Sequence, residues 1–424
     1  MTPLAGRHVV LGVSGGIACY KACVVARRLT ELGAAVDVVM TASATEFIRP
    51  VTFEALTGRP VITSLWDRGH ALDHIRLGRV PDLIVVAPAT AHLIARAAQG
   101  LADDFLTALL LGRRSPLLLC PAMNDRMYAH PETQQNLETL AAREALRDQP
   151  EERRANAFAV PRTARHVPDT VVLGPATGAL AHGEGEGPGR MVEPDEIVAW
   201  VERLLRSAAP WTGRRVVVTA GPTREALDPV RTVTNRSSGR MGFALARAAW
   251  LRGADVTLIA GPTALTPPIG PTAVRVETTR DMLAAVAAAL PEADCLIMAA
   301  APADYRPVAG DAVKTKRQAG ARTVQLEPTP DVLGETLGAR KRGAVVVGFA
   351  LETGDAAAQA KDKLAAKQLD LIVANDATED GAGPDVLTNR VTLVTAKQTE
   401  RLELMSKDAV AEQVLDRVAA LLPQ

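Results

Sequence analysis

The feature that most constrains this chain is a strand–turn–helix passage near its middle. An apolar run, Arg215-Val216-Val217-Val218-Thr219, feeds directly into Ala220-Gly221-Pro222-Thr223, and a helix-like run leaves from Met241 to Leu251. Between them stand Gly221, Arg224, Arg231, Asn235, Arg236, Ser237, Ser238 and Gly239. A turn of this kind offers free backbone N–H groups and a helix N-terminus to an anion, and the arginines add charge. The spacing is not G-x-G-x-x-G, so a nicotinamide dinucleotide is not the natural ligand. A long polar surface loop between strand and helix would use the same residue types.

The same alternation recurs on both sides. Before the centre, His8–Val13 runs into Gly12-Val13-Ser14-Gly15-Gly16, a helix follows to about Leu32, and Ala35–Met40 reads as the next strand. Leu83–Val86 runs into Ala87-Pro88-Ala89-Thr90, and Leu117–Cys120 into Pro121-Ala122-Met123-Asn124. After it come strands at Asp255–Ile259, Asp294–Met298, Ala344–Gly348 and Asp370–Ala374. Strands alternating with helices predict an α/β protein with doubly wound, Rossmann-like parallel sheets, whose ligands sit at the carboxyl ends of strands. At 424 residues the chain is long for one domain.

Formal net charge is zero, so no broad attraction to nucleic acid or membrane is expected. No apolar run approaches the roughly 20 residues that span a bilayer, and a cytoplasmic setting is expected. Four cysteines (Cys19, Cys23, Cys120, Cys295) are too few for a disulfide framework and read as core thiols. All seven histidines precede residue 183. Chemistry in the second half therefore lacks an imidazole base and rests on lysine, arginine, carboxylates or a metal, which suits a nucleotide-dependent activation.

In the first half, GVSGGIAxYK, DHIxL, APATA, GLADDFLT and PAMNxxMY occur in the order found in the flavin-containing cysteine decarboxylases, and the chain resembles the phosphopantothenoylcysteine decarboxylases among them. The resemblance implies a flavodoxin-like domain over 1–192 that binds FMN through Ser14, Gly15, Ser43, Pro88, Ala89, Thr90 and the loop containing Asp103. It implies His74 and Asn124 as the catalytic pair. Taken alone, His74 reads as a surface or capping histidine and Asn124 as the cap of a helix starting near Asp125. The resemblance further implies an oligomer whose flavin site draws residues from adjacent subunits. Two departures stand out. The stretch 141–170 is longer than the family's link here and rich in arginine and glutamate; it reads as a solvated insert. The stretch 176–191 resembles the family's substrate flap, but His182 stands at the position of its cysteine, the proton donor of the final reduction, and one extra residue precedes Gly189-Arg190-Met191.

A helix within 193–212 reads as the connector between the halves. From 213 to 424, TREALDPVR with SSGRMG, AAxADYRP, KxK, PDV, VGFAxET, KxxxK and DLIVAND resemble bacterial phosphopantothenate–cysteine ligase. By matching position, the resemblance implies that Ser237, Ser238, Gly239, Ala300, Ala301, Asp304, Lys314, Pro330, Asp331, Val332, Leu333, Phe349, Lys363 and Lys367 hold the nucleotide. Asn235 would bind phosphopantothenate or its acyl-cytidylate, and Lys314 would act with Mg2+ on CTP; the metal ligands are not specified. Asp304 also reads as an N-cap, and the lysines as a solvated helix face. Arg240 stands where the family often has lysine, and Pro302 where it often has valine. The implied protein is a bifunctional coenzyme A biosynthesis enzyme acting on 4′-phosphopantothenate, L-cysteine and CTP.

Overall fold

A computed structural model describes residues 2–66, 72–142, 169–180, 185–206, 209–308, 314, 323–352, 356–376, 379, 381–383 and 386–423. The chain divides into two compact units, Met1–Ser207 and Ala208–Gln424.

The first unit is built on five parallel strands: β1 (His8–Val13), β2 (Ala35–Met40), β3 (Leu83–Ala89), β4 (Leu117–Pro121) and β5 (Thr170–Val172), in the order β2-β1-β3-β4-β5. β3 and β4 are buried at every position, as near-continuous apolar runs require when both faces of a parallel sheet are covered. Alternation along the strands divides the core in two. Val9, Leu11 and Val13 face α1 (Cys19–Glu31), α2 (Pro50–Thr57) and α8 (Pro194–Arg206). Val10, Ile84 and Val86 face the layer of α3 (Asp73–Arg79), α4 (Ala91–Gln99), α5 (Phe105–Gly112) and α7 (Pro131–Ala142). The short α6 (Asp125–Ala129) follows β4, and an antiparallel hairpin, β6 (Ala176–Ala179) with β7 (Glu186–Arg190), follows β5.

The helix read as a connector is a layer of this unit. α8 buries Ile197, Val198, Val201 and Leu205 in the same core as α1, because its apolar residues recur at helical spacing on one face. Most of the arginine-rich insert and the flap residues 181–184, His182 among them, lie outside the described residues.

The second unit carries an eight-stranded sheet. Its strands are β8 (Arg215–Ala220), β11 (Asp255–Ala260), β12 (Thr272–Arg275), β13 (Cys295–Met298), β16 (Val345–Glu352), β17 (Leu371–Asp376), β19 (Thr392–Val394) and β20 (Thr399–Arg401). The order is β12-β11-β8-β13-β16-β17-β19-β20, parallel through β17 and antiparallel beyond it. Three antiparallel ribbons decorate it: β9 (Arg224–Ala226) with β10 (Thr232–Thr234), β14 (Tyr305–Pro307) with β15 (Leu326–Pro328), and β18 (Thr388–Asn389) with β21 (Met405–Ser406). One face packs on α10 (Thr279–Ala289) and α11 (Val332–Glu335), with Leu364 of α12 (Ala356–Ala366) against the same core. α9 (Arg240–Leu251) lies on β8 and β11 and packs against α13 (Lys407–Leu421). A Cβ at Gly242 of α9 would stand 2.7 Å from Thr219 O, so only glycine lets this helix sit so close to β8. Both units are thus doubly wound α/β structures. No helix among the described residues is long and apolar enough to cross a membrane.

Candidate functional sites at two strand-order reversals

In the first unit the winding reverses between β1 and β3, and there the carboxyl ends of the strands part into a crevice. A cavity of about 840 Å³ opens at this point, within the size range of small-molecule and cofactor sites. Its walls come from Ser14–Ala18 after β1, Thr41–Ser43 after β2, Thr90–Leu93 after β3, Ala122–Asn124 after β4, and Ala179–Leu180 with Gly189–Met191 of the hairpin. Ser14 fixes the crevice. Its hydroxyl donates to Pro88 O (2.8 Å) and accepts from Thr90 N–H (3.0 Å), while Thr90 caps α4 by accepting from Leu93 N–H. Gly15 is forced: a Cβ there would meet the Ser43 backbone carbon at 2.6 Å and its oxygen at 2.8 Å. The hairpin is tied to the floor by Met123 N–H donating to Gly189 O (3.0 Å).

Three cationic side chains border the cavity, and each is neutralised, Arg190 by Glu193 (2.7 Å). Lys21, almost wholly buried, donates to Met191 O (3.0 Å) and Glu193 Oε1 (3.1 Å). Its ammonium holds the Glu193 carboxyl below the usual range. Arg96 pairs with Asp104 (2.8 Å) and with Asp103, whose carboxyl is pulled down by that hydrogen bond, and its Nε is buried without a partner among the described residues. No side chain caps α1, and its first turn borders the cavity. A 13-residue helix thus presents its N-terminus to a site of cofactor size, with the N–H groups of Cys19 and Lys21 already donating to Gly16 O and Ala18 O (3.0 Å each). That donor set fits a flavin phosphate.

Of the residues expected at this site, Ser14, Gly15, Ser43, Thr90, Asp103 and Asn124 line the cavity together. Pro88 contributes its carbonyl to Ser14 from behind the wall, and Ala89 is fully buried in β3. Asn124 caps α6, accepting from Arg126 N–H (2.9 Å), and its amide nitrogen makes no hydrogen bond among the described residues. His74 is elsewhere. It sits on α3 with its ring edge-on to Phe105 (6.2 Å between centroids), and its buried Nδ1 has no partner among the described residues. The fold of a single chain does not bring His74 into the wall that holds Asn124. Lys21 and Arg96 escaped the sequence reading. Lys21 was legible, as the lysine closing GVSGGIAxYK, whereas nothing in the pattern of α4 marks Arg96. Cys19, Cys120 and Cys295 are buried core thiols, each with its pKa pushed up by burial.

In the second unit the reversal falls between β8 and β13. Ala301 N–H donates to Gly221 O (2.9 Å) across it. Gly221 and Gly239 both have left-handed φ (76° and 77°) and lie so close that a Cβ on Gly239 would stand 3.3 Å from Gly221 N. Gly239 is the N-cap of α9, which has no side-chain cap, and half-buried Ser237 and Ser238 precede it. Asn235 donates through Nδ2 to Pro302 O (2.8 Å) and Ala301 O (3.4 Å), which places it against the loop that follows β13. Asp304 is exposed and, through its carbonyl accepting from Thr329 N–H (3.0 Å), anchors the approach to Pro330, Asp331, Val332 and Leu333. Asp331 caps α11 and pairs with Lys367. Burial alone would raise the Asp331 carboxyl, but Lys367 and backbone donors bring it below the usual range. Phe349 is half-buried on β16, Lys363 is half-buried on α12, and Lys314 is exposed. Among the described residues, no group of three His, Cys, Asp or Glu is arranged to hold a metal ion.

A cofactor-sized cavity at the reversal of a 2-1-3-4-5 sheet, joined in one chain to a second wound sheet, defines a two-unit α/β protein with a cofactor-sized site in its first unit. Residues 2–206 match the Flavoprotein family, and residues 211–422 match the family described as the DNA/pantothenate metabolism flavoprotein C-terminal domain. The chain is 43% identical over 419 residues to the coenzyme A biosynthesis bifunctional protein CoaBC of Vibrio cholerae, covering 98% of each. It is 44% identical over 432 residues to CoaBC of Mycobacterium tuberculosis strain H37Rv, covering 98% of this chain and 97% of that one. Among solved structures, the C-terminal domain of a CoaBC aligns over 50% of this chain and 96% of its own, at 38% identity and a TM-score of 0.41. The chain belongs to the CoaBC family of bifunctional coenzyme A biosynthesis proteins.

Proposed function

We propose that the second unit ligates cysteine to 4′-phosphopantothenate at the expense of CTP, and that the first decarboxylates the product to 4′-phosphopantetheine. Both activities follow from membership of the CoaBC family. The observation that carries the reading is end-to-end similarity to the bifunctional relatives, with a cofactor-sized cavity at the winding reversal of the first unit.

In the first unit, FMN would supply the two-electron oxidation that makes the cysteinyl carboxylate able to leave, and the matching reduction afterwards. Ser14–Gly16, Ser43, Thr90 and the uncapped start of α1 would hold it. The free amide of Asn124 would orient the departing carboxylate, since Nδ2 still has donors to offer. His74 would move a proton at the thiol in an oligomer whose site is completed by an adjacent subunit.

In the second unit, the carboxylate of 4′-phosphopantothenate would attack the α-phosphate of CTP, pyrophosphate would leave, and the cysteine amine would displace CMP. Asn235 and Ala300–Ala301 would fix the acyl group. Ser237, Ser238, the N-terminus of α9 and Lys314 would stabilise the phosphate charge. Lacking a carboxylate cage among the described residues, Mg2+ would be held largely by the triphosphate. Four unpaired thiols fit a reducing cytoplasmic setting.

Mass spectrometry of the purified chain given 4′-phosphopantothenate, cysteine and Mg2+ tests this. With CTP it should yield 4′-phosphopantothenoylcysteine and then 4′-phosphopantetheine, and ATP should support far less. Equal turnover with ATP would defeat the CTP assignment. A second reading, ligation beside a flavin site without turnover, rests on His182 at the flap's cysteine position; ligation without carbon dioxide release would favour it.

A further inference from the structure

The TREALDPVR motif contains two buried acids, Glu225 and Asp228, that the proposed chemistry does not use, and Glu225 is the one tied to the site. Glu225 on β9 is 5% exposed, and Thr223 and Thr279 beside it are 0% and 1% exposed. Glu225 Oε1 accepts from Thr279 N–H (2.8 Å), at the first turn of α10, where a carboxylate is favoured by the helix dipole. The same oxygen lies 3.0 Å from Thr279 Oγ1. Thr279 Oγ1 is 2.8 Å from Thr223 Oγ1, and Thr223 Oγ1 accepts from Ala303 N–H (2.8 Å).

The direction of this chain is set at its ends. A backbone N–H can only donate, so Thr223 Oγ1 accepts from Ala303 and has its own hydrogen to give. Each hydroxyl holds one hydrogen. The Glu225 carboxylate can only accept, so Thr279 donates its single hydrogen to Glu225, and Thr223 donates its own to Thr279. Remove the terminal acceptor, and the Thr279 hydrogen is left with Ala303 O at 3.4 Å, a carbonyl that already accepts from Thr329 Oγ1 at 2.5 Å. A buried hydroxyl without an acceptor carries a desolvation cost. The far end of the chain is Ala303, in the loop Ala300–Asp304. Ala300 N–H is held by Thr219 Oγ1 (3.1 Å) and Ala301 N–H by Gly221 O (2.9 Å), and Thr223 holds a third N–H group of that loop, beside the carbonyls that Asn235 and Thr329 hold.

We infer that Glu225 is a positioning residue for ligation: as terminal acceptor of a one-way chain through Thr279 and Thr223, it fixes the Ala300–Asp304 loop against the acyl-cytidylate. The inference rests on the ligase reading and deepens it. Misplacement of a site by about 1 Å costs up to roughly a hundredfold in rate.

The test uses the full chain with E225L, E225Q and T279V. Pyrophosphate release from CTP and 4′-phosphopantothenate reads the ligase, and bound FMN reads the folding of the other unit in the same sample. E225L and T279V should lose at least tenfold in kcat for pyrophosphate release with FMN content unchanged. E225Q, which keeps an acceptor oxygen, should stay within about threefold of the parent. Parent-like kcat in E225L or T279V would overturn the role, and so would equal damage in E225Q and E225L. A parent chain that releases no pyrophosphate would overturn the ligase reading, and this role with it.

Discussion

Gly15→Ala isolates the close approach on which the flavin cavity depends. The new Cβ would stand 2.6 Å from the Ser43 backbone carbon and 2.8 Å from its oxygen, and nearer still to Ser43 Cβ. Carbon atoms rest at about 3.5–4.0 Å, so the turns after β1 and β2 must part by about 1 Å. The atoms struck belong largely to backbone and cannot swing aside. Such overpacking costs about 1–3 kcal/mol. Without ligand the two turns relieve the strain by separating, but both line the cavity, and closing them on a cofactor restores it. The cost therefore falls on binding, as FMN affinity roughly 5- to 150-fold below the parent's. Titration of the stripped protein with FMN, followed by flavin fluorescence, measures this. CTP-dependent ligation in the same sample should be unchanged and shows that the chain is folded. An FMN dissociation constant within twofold of the parent's would refute the argument.

Asp37 carries a pH-dependent share of the first unit's stability. Burial alone would raise its carboxyl, but His8 at 2.7 Å and Arg59 at 2.6 Å outweigh it and hold the pKa at about 2. The folded value lies below the unfolded one, so the contribution is complete above about pH 4 and is lost between about pH 4 and pH 2, amounting to about 2 kcal/mol. Asp37→Asn should lower the urea midpoint for flavin release at pH 7 and converge on the parent towards pH 2; a pH-independent gap would contradict the linkage. For His182, the reduction step needs an acid, and imidazolium can supply a proton near neutrality. His182→Ala should release carbon dioxide yet accumulate the ene-thiol, with His182→Cys restoring at least part of the saturated product. Full 4′-phosphopantetheine formation by the alanine variant would remove His182 from the reduction.

The sheets were legible because Val9–Val13, Leu83–Val86 and Val216–Thr219 are apolar runs ending in small residues, a pattern with few foldings besides a buried parallel strand. The turns after β1 and β8 were legible for the same reason. What joins them was not. Ser14 meets Pro88 and Thr90 across 74 and 76 residues, and Glu225 meets Thr279 across 54. Nothing local to a serine or a glutamate announces such a partner. α8 read as a connector because an amphipathic helix looks alike whether its apolar face packs at home or bridges two bodies. Motif order alone paired His74 with Asn124, and nothing local to His74 announced its edge-on contact with Phe105 or its Nδ1 without a partner among the described residues.

The two units differ in strand order, yet each secures its crevice with hydroxyls placed after its first strand or at its end. Ser14 takes the Pro88 carbonyl and the Thr90 N–H, and Thr219 and Thr223 take the N–H groups of Ala300 and Ala303. The physical problem is common to both. Where a parallel sheet splays at a winding reversal, the loops leaving adjacent strands lose the ladder that would have paired their amides, and buried amides must find partners. The reactants cannot serve, because they leave at every turnover. Asparagine would satisfy the amides but fill the space the ligand needs, and valine would keep the space but orphan them. A hydroxyl is the smallest side chain that both donates and accepts. It leaves the crevice open while holding its walls at fixed spacing, and fixed spacing is what a site needs when catalysis depends on placing reactants.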